Sequence, residues 1–285
     1  MTKILDGKAV SSAVKENIKA DVGALKKKGI DVSLAVVLVG NDPASKIYVA
    51  NKKKACEATG IRSLEYILSE NTTEKEIVDL IKKLNADSSV NGILCQLPLP
   101  KGLDEKKIIN TISPEKDVDA FHPVNVGKIM IGDFDFVPCT PAGIMEILKF
   151  YDISPEGKNC TVIGRSNIVG KPMAMLMLHK NATVTVCHSK TKNLKEMCKS
   201  ADILISAVGK AGFVTADMVK DGAVVIDVGM NRENGRLCGD VAFDEVKEKT
   251  SFITPVPGGV GPMTIAMLLK NTVTAAKKQN GIKEL

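Results

Sequence analysis

The chain has no tryptophan, its aromatic content is only 4%, and its 285 residues include just four arginines: Arg62, Arg165, Arg232 and Arg236. Nucleic-acid readers depend on arginine forks and on aromatic platforms for the bases, so this scarcity argues against a nucleic-acid partner. The net charge of +6 comes from lysine and suits small acidic ligands better. No apolar run approaches the roughly 18 residues of a membrane helix. The opening stretch MTKILDGKAVSSAVKENIKA is broken by charge every few residues and lacks the apolar core of a secretory signal. The expectation is a cytoplasmic chain with no membrane partner. The seven cysteines (Cys56, Cys95, Cys139, Cys160, Cys187, Cys198 and Cys238) are scattered, with no CxxC or CxxH spacing. That pattern argues against both a disulfide framework and a zinc site. The cysteines read as reduced and structural, and no metal is expected.

What is present describes an ordinary globular protein. Hydrophobic residues make up 44% and charged residues 25%, and the length favours two domains or one large α/β domain. Val10, Val14, Ile18, Val22 and Leu25 recur at helical spacing and predict a helix over about 8–28, closed by Gly29. SLAVVLVG reads as a buried strand. Pro43 opens a helix to about residue 58 with Gly60 beyond its end; SLEYIL is a strand, 73–87 a helix and NGILCQL a strand. Strict alternation of this kind implies a parallel sheet covered by helices. The stretch from LPLPKGL through SPEKDVDAFHPVNVG to FVPCTP, dense in proline and glycine, reads as connection and loop. Alternation then resumes: strand CTVIG, helix 168–179, strand TVTVCH, helix 194–199, strand DILISAVG, a short helix near Asp217 and strand AVVIDVG. After TPVPGGVGP comes a last helix over 262–278.

Between strand CTVIG and the next helix lie Gly164, Arg165, Ser166, Asn167, Ile168, Val169 and Gly170. Glycines in a strand-turn-helix setting let backbone amides approach a pyrophosphate at the helix N-terminus. The spacing departs from G-x-G-x-x-G, and an ordinary tight turn has the same appearance. The following strand ends in CHSKT, without the Asp or Glu that an NAD site usually offers the ribose hydroxyls. Arg165, Ser166 and Ser189, with Lys190 nearby, are instead donors for a 2′-phosphate. This points to NADP rather than NAD. The strand VVIDVGMN ends at Gly229, where backbone could pass beside a nicotinamide.

In KIYVANKKKACEATGI, Tyr48 and Lys52 are four apart and share one helix face, whereas Lys53 and Lys54 do not. A partly buried tyrosine beside solvated lysines is one reading; a phenol and an amine set together for chemistry is the other. The second needs a partner, because a lone lysine stays protonated near neutral pH. Gln96, at the C-terminal end of its strand, is the candidate. Asp117 and Asp119 are two apart, and at most one of them is expected to point into a given cleft, the other being structural. TPVPGGVGP is a stiff loop with exposed amides, a ligand-facing turn or a plain linker. YxxxK also marks short-chain dehydrogenases, but there the Gly-rich turn comes first, and here Tyr48 precedes Gly164.

Taken in order, the motifs GNDPASKIYVANKKKACEATGI, GILCQLPLP, PEKDVDAFHPVNVG, PCTPAGI, VIGRSNIVGKP, ATVTVCHSKT, ADILISAVGK, VVIDVGMN and TPVPGGVGPMT span nearly the whole chain. Together they resemble the bifunctional methylenetetrahydrofolate dehydrogenase/methenyltetrahydrofolate cyclohydrolase family. Ala120 departs from the glycine usual there, and Met230 from the commoner isoleucine. The resemblance implies an α/β fold of two domains, each a mainly parallel sheet with flanking helices. Residues 1–138 would form a folate-binding catalytic domain on which a C-terminal helix, about 262–285, packs back. Residues 139–261 would form a Rossmann-type NADP-binding domain, with folate in the cleft between the two. NADP+ would oxidise 5,10-methylenetetrahydrofolate to the methenyl cation, and water would open that cation to 10-formyltetrahydrofolate. The implied catalytic residues are Lys52, Tyr48, Gln96 and Asp119. Substrate contacts fall to these residues with Cys95, Leu97, Pro257, Gly258 and Gly259; cofactor contacts fall to Gly164, Arg165, Ser166, Ser189 and Met230. The implied partners are tetrahydrofolate derivatives, polyglutamylated forms included, and a second copy in a homodimer. Two other readings stay open: a silent nucleotide-binding protein, and an NADP-dependent dehydrogenase of another small acid.

Overall fold

The stretch SLAVVLV, Ser33–Val39, is buried at all seven residues, as a central parallel strand covered on both faces must be. The computed structural model that shows this describes residues 2–233 and 235–282. In chain order it runs β1 (Lys3–Ile4), α1 (Gly7–Lys27), β2 (Ser33–Val39), α2 (Pro43–Thr59), β3 (Arg62–Leu68), α3 (Glu74–Ala86) and β4 (Gly92–Cys95). Then come α4 (Glu105–Thr111), α5 (Pro123–Ile131), α6 (Cys139–Phe150), β5 (Asn159–Ile163), α7 (Gly170–His179), β6 (Thr183–Cys187) and α8 (Leu194–Lys199). The rest is β7 (Ile203–Ser206), a 3₁₀ turn (Ala216–Met218), β8 (Val224–Asp227), β9 (Asn231–Glu233), β10 (Arg236–Cys238), α9 (Phe243–Val246), β11 (Phe252–Ile253) and α10 (Gly261–Gln279). Residues 283–285 of the expected last helix lie outside the described residues. Among the described residues no helix is long and apolar enough to cross a membrane.

The chain divides into two units. One takes Ala13–Val137 together with the chain from Ile265 onward and holds a parallel sheet in the order β3-β2-β4. Its core gathers Val37, Val39, Ile77, Ile81, Ile93 and Ile108, each large side chain contributing about 1.5–3 kcal/mol through burial. The other takes the chain up to Ser12 and Pro138–Thr264. It carries six parallel strands in the order β1-β11-β8-β7-β5-β6 and a separate antiparallel hairpin, β9 with β10. The N-terminal dozen residues thus go with the six-stranded unit rather than with a domain of 1–138, because Lys3 pairs with Phe252 and Ile4 with Ile253.

Local chemistry explains the boundaries. Asp42 accepts the Ser45 amide at 2.7 Å to start α2, Pro43 occupies its first turn, and Gly60 at φ 80° closes it, in keeping with the preferences of helix ends. Thr73 and Glu76 form a capping box on α3. The Pro-rich connection is not all loop, as expected from its composition, for it contains α4, α5 and α6. Asp104 caps α4 through the Lys107 amide, and Pro123 and Gly132 bracket α5; the prolines there open helices instead of breaking them.

One glycine carries a steric demand at the start of α1. A Cβ at Gly7 would lie 1.7 Å from the Gly259 carbonyl oxygen, and neither backbone can retreat as a side chain could. Gly7→Ala is therefore expected to lower stability by about 2–4 kcal/mol. Urea unfolding measures it, and a loss below about 1 kcal/mol would contradict this packing.

Candidate active site

α2 and β4 bring Lys52 and Gln96 together. Lys52 is partly buried, and its Nζ donates to Gln96 Oε1 at 2.7 Å. Gln96 follows the last residue of β4; its backbone amide donates to Val37 O at 2.9 Å and its Nε2 to Leu97 O at 2.7 Å. Both ends of the amide are thus committed, which presents Oε1 to the amine and fixes the flip of the side chain. Tyr48 sits one turn earlier on the same face of α2 and is 39% exposed, enough for its ring to meet a ligand. Lys53 instead pairs with Glu65 of β3 at 3.2 Å, and Lys54 is exposed. Cys95 ends β4 buried, and burial, with the Asp119 carboxylate second, pushes its thiol up to about 12. Such a thiol is no nucleophile at neutral pH. Leu97, partly buried, packs on the core of the same unit.

The two aspartates of EKDVDAF part because the chain turns after Asp117; in an extended strand residues two apart would share a face. Asp117 is buried and accepts the His122 amide and the Asn125 side-chain amide, each at 2.8 Å. Burial raises its carboxyl above the ordinary value despite those bonds. Asp119 is the partly exposed one. The segment around them is fixed from two sides. Lys116 Nζ donates to Leu84 O at 3.0 Å and Asp87 O at 2.7 Å, at the end of α3. Asn271 of α10 donates to Val118 O at 2.8 Å and Val137 O at 2.9 Å. Ala120 then turns the chain at φ 58°, fully buried, a conformation that glycine adopts with less strain.

In the six-stranded unit, the turn after β5 needs both of its glycines. A Cβ at Gly164, where φ is 132°, would lie 2.5 Å from Ala207 O, and one at Gly170 would lie 2.2 Å from Gly164 O. The Ser166 hydroxyl oxygen accepts the Val169 amide at 3.1 Å and the Gly170 amide at 3.4 Å, and it can still donate its own proton. Ile163 of β5 pairs with Cys187 of β6, so Arg165 and Ser189 stand two residues past the ends of adjacent strands, both exposed. A cradle that side chains would fill, with an arginine and two hydroxyls at its rim, fits a phosphorylated dinucleotide. Met230 follows the end of β8 and is 53% exposed. The loop Pro257-Gly258-Gly259 is tight on its own account: Gly258 has φ 108°, and Gly259 N–H donates to Pro255 O at 2.9 Å.

Comparison with known proteins agrees along the full length. The family model described as Tetrahydrofolate dehydrogenase/cyclohydrolase, catalytic domain, matches residues 5–119, and the NAD(P)-binding domain model of the same family matches residues 138–280. The chain belongs to the tetrahydrofolate dehydrogenase/cyclohydrolase family. A relative named Bifunctional protein FolD, from Agathobacter rectalis, is 63% identical over 279 residues, covering 98% of this chain and 100% of that one. The crystal structure of the bifunctional FolD enzyme from Campylobacter jejuni superposes with a TM-score of 0.96 at 53% identity, covering 98% and 99% of the two chains. The Trypanosoma brucei FolD structure, complexed with NADP cofactor and an inhibitor, gives a TM-score of 0.92 at 38% identity, covering 97% and 98%.

In this member of the family, three buried charges were not singled out from sequence: Lys116, Asp227 and Asp240. None belongs to a spaced pair, and only their burial at 8%, 3% and 0% exposure marks them. Burial pushes the Asp227 carboxyl up to about 6, its backbone donors opposing that rise. The folded chain therefore holds this proton more tightly than the unfolded chain. The contribution of Asp227 to stability is fullest below about pH 4, fades as pH rises through about 6, and leaves a cost on the order of 3 kcal/mol at neutral pH. Carboxyl-carbon NMR is expected to give Asp227 a titration midpoint near 6; an ordinary midpoint near that of a free aspartate would refute the assignment.

Proposed function

We propose that this chain oxidises 5,10-methylenetetrahydrofolate with NADP+ and hydrolyses the resulting methenyl cation to 10-formyltetrahydrofolate, with Lys52 as the proton-transfer group of the hydrolysis. The observation that carries the reading is the 2.7 Å bond from Lys52 to Gln96 at the C-terminal end of a parallel sheet, where open α/β folds place ligands. Relatives named as bifunctional FolD proteins match end to end, and the T. brucei neighbour binds NADP.

NADP+, when bound, supplies the hydride acceptor for the methylene carbon. What remains is a delocalised cation, and a permanently charged ammonium beside it would oppose its formation. Gln96 positions Lys52 by accepting one of its N–H bonds, and desolvation by the bound folate favours the proton-free amine, whose lone pair meets incoming water. Water then adds to the methenyl carbon and its proton passes to Lys52. The carbon–nitrogen bond breaks as the ring nitrogen takes a proton back, and the hydroxyl proton leaves as the formyl carbonyl forms. One proton is released overall. Transfer of this kind is typically worth about 10² to 10⁴ in rate. Tyr48 offers its ring for stacking on the pterin or aminobenzoate and its hydroxyl to orient the amine. Asp119 accepts hydrogen bonds from the pterin amino and ring N–H groups, and the Cys95–Leu97 backbone lines the same place.

Arg165, Ser166 and Ser189 recognise the 2′-phosphate in this reading, with Gly164 and Met230 beside the dinucleotide. A cytoplasmic homodimer acting on polyglutamylated folates completes it. Six of the seven free cysteines are buried, which suits a reducing compartment. The outer edge of β6, with Val186 exposed, is a surface that a second copy would cover. The lysine excess suits a polyanionic tail.

Lys52→Met is expected to reduce methenyl hydrolysis at least about 100-fold while NADP+ still binds, read from methenyl absorbance and cofactor titration. Unchanged hydrolysis would overturn the role. Arg165→Ala is expected to raise KM for NADP+ at least about tenfold, as loss of charge-assisted bonds does, and to leave KM for NAD+ within about twofold. Equal weakening toward both cofactors would remove the assignment of the 2′-phosphate to Arg165.

A further inference from the structure

In the six-stranded sheet β5 lies between β6 and β7, so the chain leaves β5 to one side and returns on the other, and the crevice at that reversal is where a dinucleotide lies. Its two walls are the turn after β5 and the loop after β7. They touch, since a Cβ at Gly164 would meet Ala207 O at 2.5 Å. One buried side chain gathers the amides of the loop after β7. Asp240, fully buried, accepts the amides of Val208 at 2.7 Å, Gly209 at 3.2 Å and Lys210 at 2.9 Å. Asn231 Nδ2 donates to it at 2.9 Å and Ser206 Oγ at 3.4 Å. Asp240 is held in turn, for Asp227 accepts the amides of Asp240, Val241 and Gly229, each at 2.9 Å. Glycines make room for both carboxylates: a Cβ at Gly229 would lie 2.3 Å from Asp240 Oδ1, and one at Gly239 would lie 1.9 Å from Asp227 Oδ2.

We propose that Asp240 is a positioning residue of the dinucleotide site, fixing the Val208–Gly209–Lys210 backbone as the wall opposite the Gly-rich turn, with Asp227 holding Asp240. Three successive amides turned onto one carboxylate leave the carbonyls of the same trans peptide planes turned away from it. These carbonyls form a fixed row of acceptors for the hydroxyl and amide donors of a bound dinucleotide. A wall set before binding spares the cofactor the cost of ordering it. The inference rests on the NADP reading above.

The test is steady-state kinetics of the full chain with NADP+ and methylenetetrahydrofolate varied separately. In Asp240→Asn one acceptor oxygen becomes an amide NH2, a donor that faces N–H groups. KM for NADP+ is expected to rise at least about tenfold, with KM for the folate unmoved. Asn231→Ala withdraws only one donor from the same carboxylate, and is expected to shift KM for NADP+ about threefold the same way. Native KM for NADP+ in Asp240→Asn, or a parallel change in both KM values and kcat, would overturn the proposal. If Asp240→Asn does not fold, native KM in Asn231→Ala overturns it. A native chain that shows no NADP+ turnover would instead remove the reading beneath.

Discussion

A strand in a parallel sheet cannot return to its neighbour through a short turn; the chain must cross over a face and re-enter at the opposite end. The two larger sheets are wholly parallel, so each of their strands is left at the same edge of its sheet. That constraint collects the exits of β4, β5, β6, β7 and β8 into two rows of loops. Gln96, Arg165, Ser189, Val208 and Met230 are all exit residues of this kind. These candidate positions are set by the hydrogen-bonding direction of the sheets before any side chain is considered. Helices supply only what must reach across, as α2 does with Lys52.

Exits alone do not hold their shape, because a loop at a sheet edge has more amides than neighbours to receive them. The chain meets this with charges placed inside. Asp240 and Asp227 together receive six backbone amides, and Lys116 supplies two carbonyls at the end of α3. An ionised group makes stronger hydrogen bonds than a neutral one, yet its burial opposes the charge, as the raised carboxyl of Asp227 and the lowered ammonium of Lys116 record. Rigidity at these sites is held against a standing electrostatic cost.

Much of this was legible in the sequence where local chemistry decides. The seven-residue apolar run of β2, the Thr73–Glu76 box of α3 and the Pro43 and Gly60 limits of α2 each carry their own signal. The pairing of Tyr48 with Lys52 followed from helical spacing, and Gln96 from its place at a strand end. What escaped reading depends on distance along the chain. Lys3 finds Phe252, and Asn271 finds Val118, through tertiary packing that no window of sequence contains. In the 98–138 stretch, prolines that start helices were indistinguishable from prolines that end them. Asp240 lies in a plain GDV triplet, and nothing local distinguishes it from a surface turn.

The cysteines carry a practical consequence. Six are buried, and four of those thiols, Cys56, Cys95, Cys160 and Cys198, are pushed up to about 12 by burial. Cys238 alone of the seven is partly exposed, on β10 and two residues before Asp240. The natural chain therefore carries a single accessible handle beside the carboxylate that braces the dinucleotide wall. A thiol-directed fluorophore would attach there without any engineered cysteine and would watch that wall as ligands come and go.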